Sequence, residues 1–417
     1  MTSRRCGTLI ITGGHGYLGE AVIEAARAAD MRICLLTRDP KPNRPGILEI
    51  AWRLGEPLPR ECLDSDIPFG EQALIHLAHD WSDIDDKSGI NLTGARILRD
   101  SARAAGLGRI VFISSQSARA DALNAYGRVK WAIEQLFDAQ NEIALRVGLV
   151  YGGPRKAQYG LLCKLAMLTS ILPMVRPHQM VQPIHRDEVA RGILLATENS
   201  AAGVLGLAGP QPIAFSTFLD QLAWRLRGGR MVLIPLPLGL VLRLAALVNK
   251  LPLLPRVDRE RILGLAGTRP MPTAADLDRL GLSVLPFAEG MLKEPAARRA
   301  LIREGRTLLH YVTGSPPSAS LLHLYMRALR AQGEEGALRL PRVVHAAPFP
   351  LRFIEPLSGR GALKSRLRIA TALAARTDGL HGLDRGGRVQ RLSRLAGALL
   401  IEAAALPTRL LATLWPQ

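Results

Sequence analysis

Cysteine is scarce and scattered in this chain. The four present, Cys6, Cys34, Cys62 and Cys163, form no C-x-x-C pair and have no histidines nearby at metal-ligand spacing. That excludes a disulfide framework, a thiol redox pair and a structural zinc site, and leaves reduced thiols in a cytoplasmic protein as the expectation. A long apolar run is missing too. The longest stretch, Met231 to Pro255, is broken by Pro235, Pro237, Arg243, Lys250 and Pro252, short of the roughly 20 uninterrupted apolar residues a spanning helix needs. No secretory signal is expected, because the strand-like run Thr8 to Thr12 begins before a charged region and an apolar region could both fit. Acidic residues are outnumbered, 36 against 54 Lys and Arg. The imbalance is concentrated: residues 291–417 hold 20 basic and 8 acidic residues, whereas residues 1–290 hold 34 and 28. Such asymmetry marks a separate segment suited to an anionic partner, such as a membrane surface. Aromatic residues are few in that segment, so the stacking platforms of single-strand binders are absent and nucleic acid is not an expected partner.

What is present is an alternation. From residue 8 to about 210, apolar strand-like runs at 8–12, 31–37, 73–78, 109–114 and 143–149 alternate with helix-like stretches such as Tyr17 to Ala29 and Asn91 to Ala105. This rhythm, with strands that read as continuous apolar runs, predicts an α/β domain with a doubly wound parallel sheet covered on both faces. The length of 417 residues suits two or three units, and a boundary is expected near residue 290. Beyond it the pattern is helical and Arg-rich, so residues 291–417 are expected to form a mainly α-helical basic extension. Within it Arg388, Arg391 and Arg394 recur at three-residue spacing opposite Leu392, Leu395, Leu399 and Leu406, an amphipathic pattern suited either to peripheral contact with an anionic bilayer or to packing on the enzyme.

Directly after the first strand stands Thr12-Gly-Gly-His-Gly-Tyr-Leu-Gly19. Gly13 permits the tight strand-to-helix turn, Gly16 lets backbone N–H groups approach a pyrophosphate, and Gly19 lets the helix pack closely on the sheet. The helix N-terminus adds partial positive charge. Position after the first strand and before the first helix makes this a dinucleotide cradle rather than an ordinary turn. At the end of the second strand, where an NAD-specific site usually presents an acid, the sequence reads Leu36-Thr37-Arg38. Arg38 suits the 2′-phosphate of NADP, and Asp39 one residue on keeps NAD open as the alternative.

Tyr126 and Lys130 lie four residues apart at the start of a helix-like stretch, and theirs is the one Y-x-x-x-K in the chain. A free phenol titrates near pH ~10, and a cation beside it helps bring it towards neutrality for acid–base work. Upstream, the strand Ile110 to Ile113 ends at Ser114-Ser115-Gln116-Ser117, at the carboxyl edge where open α/β sheets place their ligands. Ser115 is the expected ligand of a substrate oxygen.

With these elements in order, the sequence resembles an extended short-chain dehydrogenase/reductase of the NAD(P)-dependent epimerase/dehydratase type over about residues 8–290. The resemblance extends to Ile75-His-Leu-Ala78, Asn91-Leu-Thr-Gly94, Arg146-Val-Gly-Leu-Val-Tyr-Gly152, Pro183-Ile-His-Arg-Asp187 and Gly206 to Pro212. It implies a Rossmann domain with a small substrate lobe from residues 151–182 and 211–290. It implies Tyr126 as proton donor or acceptor, Lys130 as its activator and ribose anchor, and Ser115 as oxygen ligand. Cofactor contacts would come from Gly13, His15, Gly16, Tyr17, Leu18, Gly19, Arg38, Leu77, Ala78 and Lys130. Hydride would pass between the nicotinamide and an alcohol or ketone carbon of a small-molecule substrate, and helices 91–105 and 126–140 could build a homodimer interface.

The run Leu233 to Leu254 followed by Arg256-Val-Asp-Arg is similar to the branch containing the Rossmann accessory subunit of respiratory complex I, which includes members with no known turnover. Two departures stand out. The Gly-Asp pair that usually follows the third strand is not evident around Ile47 to Leu54, and the Ser115 to Tyr126 interval is short. The lobe is apolar and poor in acids and amides. Three functions are therefore expected in competition: an oxidoreductase of apolar or lipid-like substrates, a nucleotide-sugar epimerase or dehydratase, and a non-catalytic NADP(H)-binding assembly protein at a membrane.

Overall fold

The computed structural model describes residues 6–377 apart from 42–44, 83–85, 176–178, 251–255, 295–297, 333–336, 339, 341 and 355–360. The Arg388 to Arg394 pattern lies outside the described residues. In chain order the first half forms β1 (Thr8–Thr12), α1 (Tyr17–Ala28), β2 (Arg32–Thr37), β3 (Ile47–Ala51), β4 (Gln72–His76), α2 (Ile90–Ala104), β5 (Arg109–Ser115), α3 (Ala125–Glu134) and β6 (Glu142–Val147). There follow β7 (Leu149–Tyr151), α4 (Ala157–Leu168), β8 (Ile171–Val175), β9 (Met180–Val181), β10 (Pro183–His185), α5 (Arg186–Glu198), β11 (Gly203–Leu207), β12 (Ile213–Ala214), α6 (Phe215–Arg227) and β13 (Val232–Leu236). The remainder is helical: α7 (Leu238–Val248), α8 (Arg259–Ala266), α9 (Ala274–Leu280), α10 (Phe287–Lys293), α11 (Arg298–Thr313), α12 (Ala319–Ala331), α13 (Arg342–Ala346), α14 (Leu351–Ile354) and α15 (Ala362–Thr377).

Seven strands make one sheet in the order β11-β6-β5-β4-β1-β2-β3, and every pairing in it is parallel. The alternation of side chains along each strand feeds two apolar layers. Leu9, Ile11, Leu35, Val111 and Leu145 join the layer that holds α1, α5 and α9. Ile10, Leu36, Leu74, Ile110 and Phe112 join the layer of α2 and α3. Because both faces are covered, the strands carry almost no polar residue in their centres, which is why they read as unbroken apolar runs. Each such side chain contributes about 1.5–3 kcal/mol relative to exposure. The order reverses between β1 and β4, and an open sheet of this kind leaves a crevice there, at the carboxyl ends.

The chain divides into two compact units, residues 1–222 with 230–291, and residues 223–229 with 292–417. In the second, α11, α12, α13 and α15 enclose Leu308, Leu309, Tyr325, Val344 and Ala370. One carboxylate sits inside this core. Glu304 accepts hydrogen bonds from the Tyr325 hydroxyl at 2.6 Å, the Leu338 N–H at 2.5 Å and Arg366 Nη1 at 3.1 Å. Removing one partner of a buried pair of this type costs about 3–5 kcal/mol, because the remaining charge is left uncompensated.

Candidate functional site

The crevice begins at the glycine turn. Gly13 adopts φ +73°, and a Cβ there would stand 2.8 Å from the Ala78 nitrogen. A Cβ on Gly19 would stand 2.4 Å from the Gly13 carbonyl oxygen. These two positions demand glycine for separate reasons: a left-handed backbone at the first and a close helix-to-turn approach at the second. Gly16 directly precedes α1, and it and His15 are exposed. The first turn of the helix is therefore open on the side a phosphate would approach. The residues fit the group the sequence implies: a cradle of bare backbone that any side chain would fill.

Thr12 and His76, the last residues of β1 and β4, are joined by a 2.8 Å hydrogen bond between Oγ1 and Nδ1. The Ala78 N–H also donates to Thr12 Oγ1, at 3.2 Å. This pins the two strand ends at the point of reversal and brings Leu77 and Ala78 against Gly13. Burial pushes the His76 pKa down to about 3, so its imidazole is neutral. Arg38 is exposed directly beyond β2. Its charge, after the hydrogen bonds from the Ser82 hydroxyl and N–H, helps hold the Asp80 carboxyl below the usual range. The Tyr17 side chain turns elsewhere: its hydroxyl donates to the Gly152 carbonyl at 2.5 Å and its ring lies 5.6 Å from the Arg186 guanidinium carbon. Any cofactor contact at Tyr17 is therefore left to its backbone.

At the other end of the crevice, β5 delivers Ser115 to its carboxyl edge, where Ser115 Oγ lies 3.0 Å from Ser117 Oγ. Helix α3 presents Tyr126 in its first turn and Lys130 one turn on. Lys130 Nζ donates to the Ile113 carbonyl of β5 at 2.8 Å, 4.6 Å from the Phe112 ring centroid. Its contact with Tyr126 is cation to ring, 5.8 Å to the centroid. The expected activation of the phenol by this lysine is thus not built into the arrangement. Burial pushes the phenol up from its ordinary value. Lys130 is itself pushed down to about 7 by burial, with Glu134 opposing the shift. The physical reason is that the ammonium is spent on a backbone carbonyl in an apolar layer rather than on the phenol oxygen.

Three groups of residues that the sequence reading missed complete the site. The Tyr126 ring forms a three-ring cluster with neighbours from the exit of β4: Trp81 stacks on it at 5.0 Å and 17°, His79 meets it edge-on at 5.1 Å, and His79 and Trp81 are themselves 4.7 Å apart. Both His79 ring nitrogens are buried without a hydrogen-bond partner, and burial, reinforced by Lys130, takes the His79 pKa down to about 3. Trp81 remains 62% exposed. A large aromatic just past a strand's carboxyl end was the available signal. Second, Glu134 receives the Ser114 hydroxyl and a bidentate Arg146, whose Nη2 lies 2.7 Å from Oε2. This ties the end of α3 to β5 and β6. Third, the Ala125 N–H donates to Glu260 of α8 at 2.6 Å, bracing the N-terminal end of α3. Among the described residues no cluster of His, Cys, Asp or Glu is suited to a metal ion.

A seven-stranded parallel sheet with a glycine turn at its reversal point defines a doubly wound dinucleotide-binding domain. Residues 9–206 match the profile of the NAD dependent epimerase/dehydratase family. The solved structures it is similar to include MoeE5 in complex with UDP-glucuronic acid and NAD, at 18% identity over 69% of this chain and 97% of that one, with a TM-score of 0.50. They include UDP-glucose 4-epimerase from Thermotoga maritima with UDP-glucose, at 14% identity over 68% and 96% of the two chains and a TM-score of 0.51. A human epimerase family protein, SDR39U1, with NADPH gives 20% identity, the same coverage and a TM-score of 0.51. At these identities the likeness is one of fold. No curated protein sequence matches the chain.

Proposed function

We propose that this chain is an NAD(P)-dependent oxidoreductase that exchanges hydride with an alcohol or ketone carbon of an apolar substrate. The observation that carries the reading is the continuity of the crevice: Gly13 backs onto Ala78, the next residue, His79, touches Tyr126, and Lys130 one turn later returns to β5 just before Ser115. This chain of contacts supports a reading in which cradle and phenol line one groove. A bound nicotinamide dinucleotide would supply the hydride chemistry there. Gly13, Gly16, Gly19 and the first turn of α1 would hold its pyrophosphate, with Arg38 near the adenosine ribose. Ser115 would hydrogen-bond the substrate oxygen, and the Tyr126 hydroxyl would give or take the proton on that oxygen. Lys130 would have to leave the Ile113 carbonyl for the ribose and phenol. The Trp81 and His79 rings would wall the substrate side, His79 as a neutral hydrogen-bonding group.

A second reading, nucleotide-sugar epimerisation or dehydration, draws support from the fold shared with proteins solved with UDP-sugars. Calorimetric titration with NADPH and NADH, beside Arg38→Ala, comes first. Selective loss of NADPH affinity in the variant supports the cradle and the NADP preference, and binding of neither cofactor refutes the reading. A screen of ketones for NADPH oxidation then competes with a screen of UDP-sugars for turnover without net cofactor change. Cofactor binding with turnover of neither class would favour the non-catalytic assembly role.

A further inference from the structure

The lobe carries a surface that the proposed reaction does not use. Two stretches of sequence, 143–186 and 221–257, contain no Asp or Glu and six Lys or Arg each. From them come β8 and β13, a two-stranded parallel pair in which Val232 stands opposite Ile171 and Ile234 opposite Pro173. These four share one face by the period of the strand, and all four are exposed, Val232 at 58% and Ile171 at 56%. Pro237 alone separates β13 from α7, a helix with apolar residues on every side. Its inner stripe, Val241 with Leu238 and Ala245, packs with Val175 and Ile262. Its outer stripe, Leu240, Arg243 and Leu247, with Lys250 one step further, is exposed. A water-facing stripe would ordinarily be polar throughout. Here alternate turns offer leucine, Leu247 at 61% exposure, and the charges between them are all positive.

We infer that this face of the lobe docks on the surface of an anionic lipid bilayer. Leu240, Leu247, Val232 and Ile234 enter the headgroup boundary, and Arg243 and Lys250 meet lipid phosphates. Apolar side chains interleaved with cations are what an interfacial helix presents to such a surface, and the carboxylate at its border, Asp220, is engaged by the Met231 N–H at 3.1 Å. A second copy of this chain is disfavoured as the occupant, because a two-fold contact would set the same cations against each other. These residues belong to a different stretch of sequence from the basic C-terminal segment and include none of the residues assigned to the proposed reaction, so the inference stands whether or not that reaction does.

Co-sedimentation of the full chain with vesicles tests it. The chain is expected to bind vesicles of phosphatidylcholine mixed equally with phosphatidylglycerol and to bind pure phosphatidylcholine weakly. Val232→Glu with Leu247→Glu should lower the bound fraction about tenfold or more, with no fall in thermal midpoint because both positions are exposed. An independent check uses the native thiols, all four of which are buried. In Leu247→Cys the introduced thiol is therefore the reactive one, and an environment-sensitive fluorophore on it should shift to the blue on the mixed vesicles. Absence of vesicle binding, wild-type binding by the double variant, or an unshifted fluorophore would each overturn the inference, the second by assigning attachment to the C-terminal segment.

Discussion

The glycine turn and the Tyr126 end of the crevice are made of different material. At the turn, backbone alone sets the shape: Gly13 needs its positive φ and Gly19 its missing Cβ whatever surrounds them. At Tyr126, four elements contribute side chains, and each alters the others. Trp81 and His79 arrive from β4, Lys130 and Glu134 from α3 itself, Ser114 and Ser115 from β5, and Glu260 from α8. The first end is therefore rigid and indifferent to its neighbours, whereas the second is tunable, and the balance of charge there depends on contacts far apart in sequence.

The comparison is broken most severely by Gly19→Val, whose side chain would collide with the Gly13 carbonyl. No NADPH binding is expected by calorimetry, and unfolding should occur at lower temperature; retained affinity would show that the turn relaxes and is not the rigid end. Tyr126→Phe attacks the other end, with an expected loss of about 10²- to 10⁴-fold in kcat and unchanged cofactor affinity, read by steady-state kinetics beside a binding titration. Equal kcat in the variant would remove Tyr126 from the chemistry. Trp81→Ala should act on substrate more than on rate, raising KM by about tenfold for loss of one aromatic wall. A pure kcat effect would assign Trp81 instead to holding the phenol.

The smallest effect concerns pH. Lys130 releases its proton near pH 7 in the folded chain and near 10.5 when unfolded. Between those values the unfolded chain binds the extra proton, so stability rises with pH across that window, and the cost of the buried charge is fully present below it. Lys130→Met should flatten the rise in thermal midpoint between pH 7 and 10. A wild-type profile already flat there would mean the ammonium is not destabilised by burial.

How far the sequence spoke follows the same division. Five of the seven strands were legible because burial on both faces leaves no polar interruption, whereas β3, part-exposed with Glu49 at its centre, and β11, with two glycines, were not among the runs read as strands; the glycine turn was legible because its constraints are local. Arg109 to Ser115 and Ala125 to Glu134 could be placed for the same reason. The setting of Lys130 could not, since its partner, the Ile113 carbonyl, is a group every residue carries and no pattern marks. His79 and Trp81 stood in plain view after the fourth strand, yet only folding brings them to a tyrosine more than forty residues later. Nothing in the sequence pairs Glu134 with Arg146, which meet around Ser114 only when α3 and β6 come together.

The order of strands also carries a consequence for how the chain is made. The first of the seven strands to be synthesised, β1, ends up near the centre of the sheet, while β11 closes one edge against β6. Until Gly203 to Leu207 has been synthesised, β6 presents an open row of backbone donors and acceptors to the surroundings. A nascent or truncated chain that stops short of residue 203 should therefore pair with its own copies or with a chaperone, and complete folding of the sheet must wait until Leu207 has emerged.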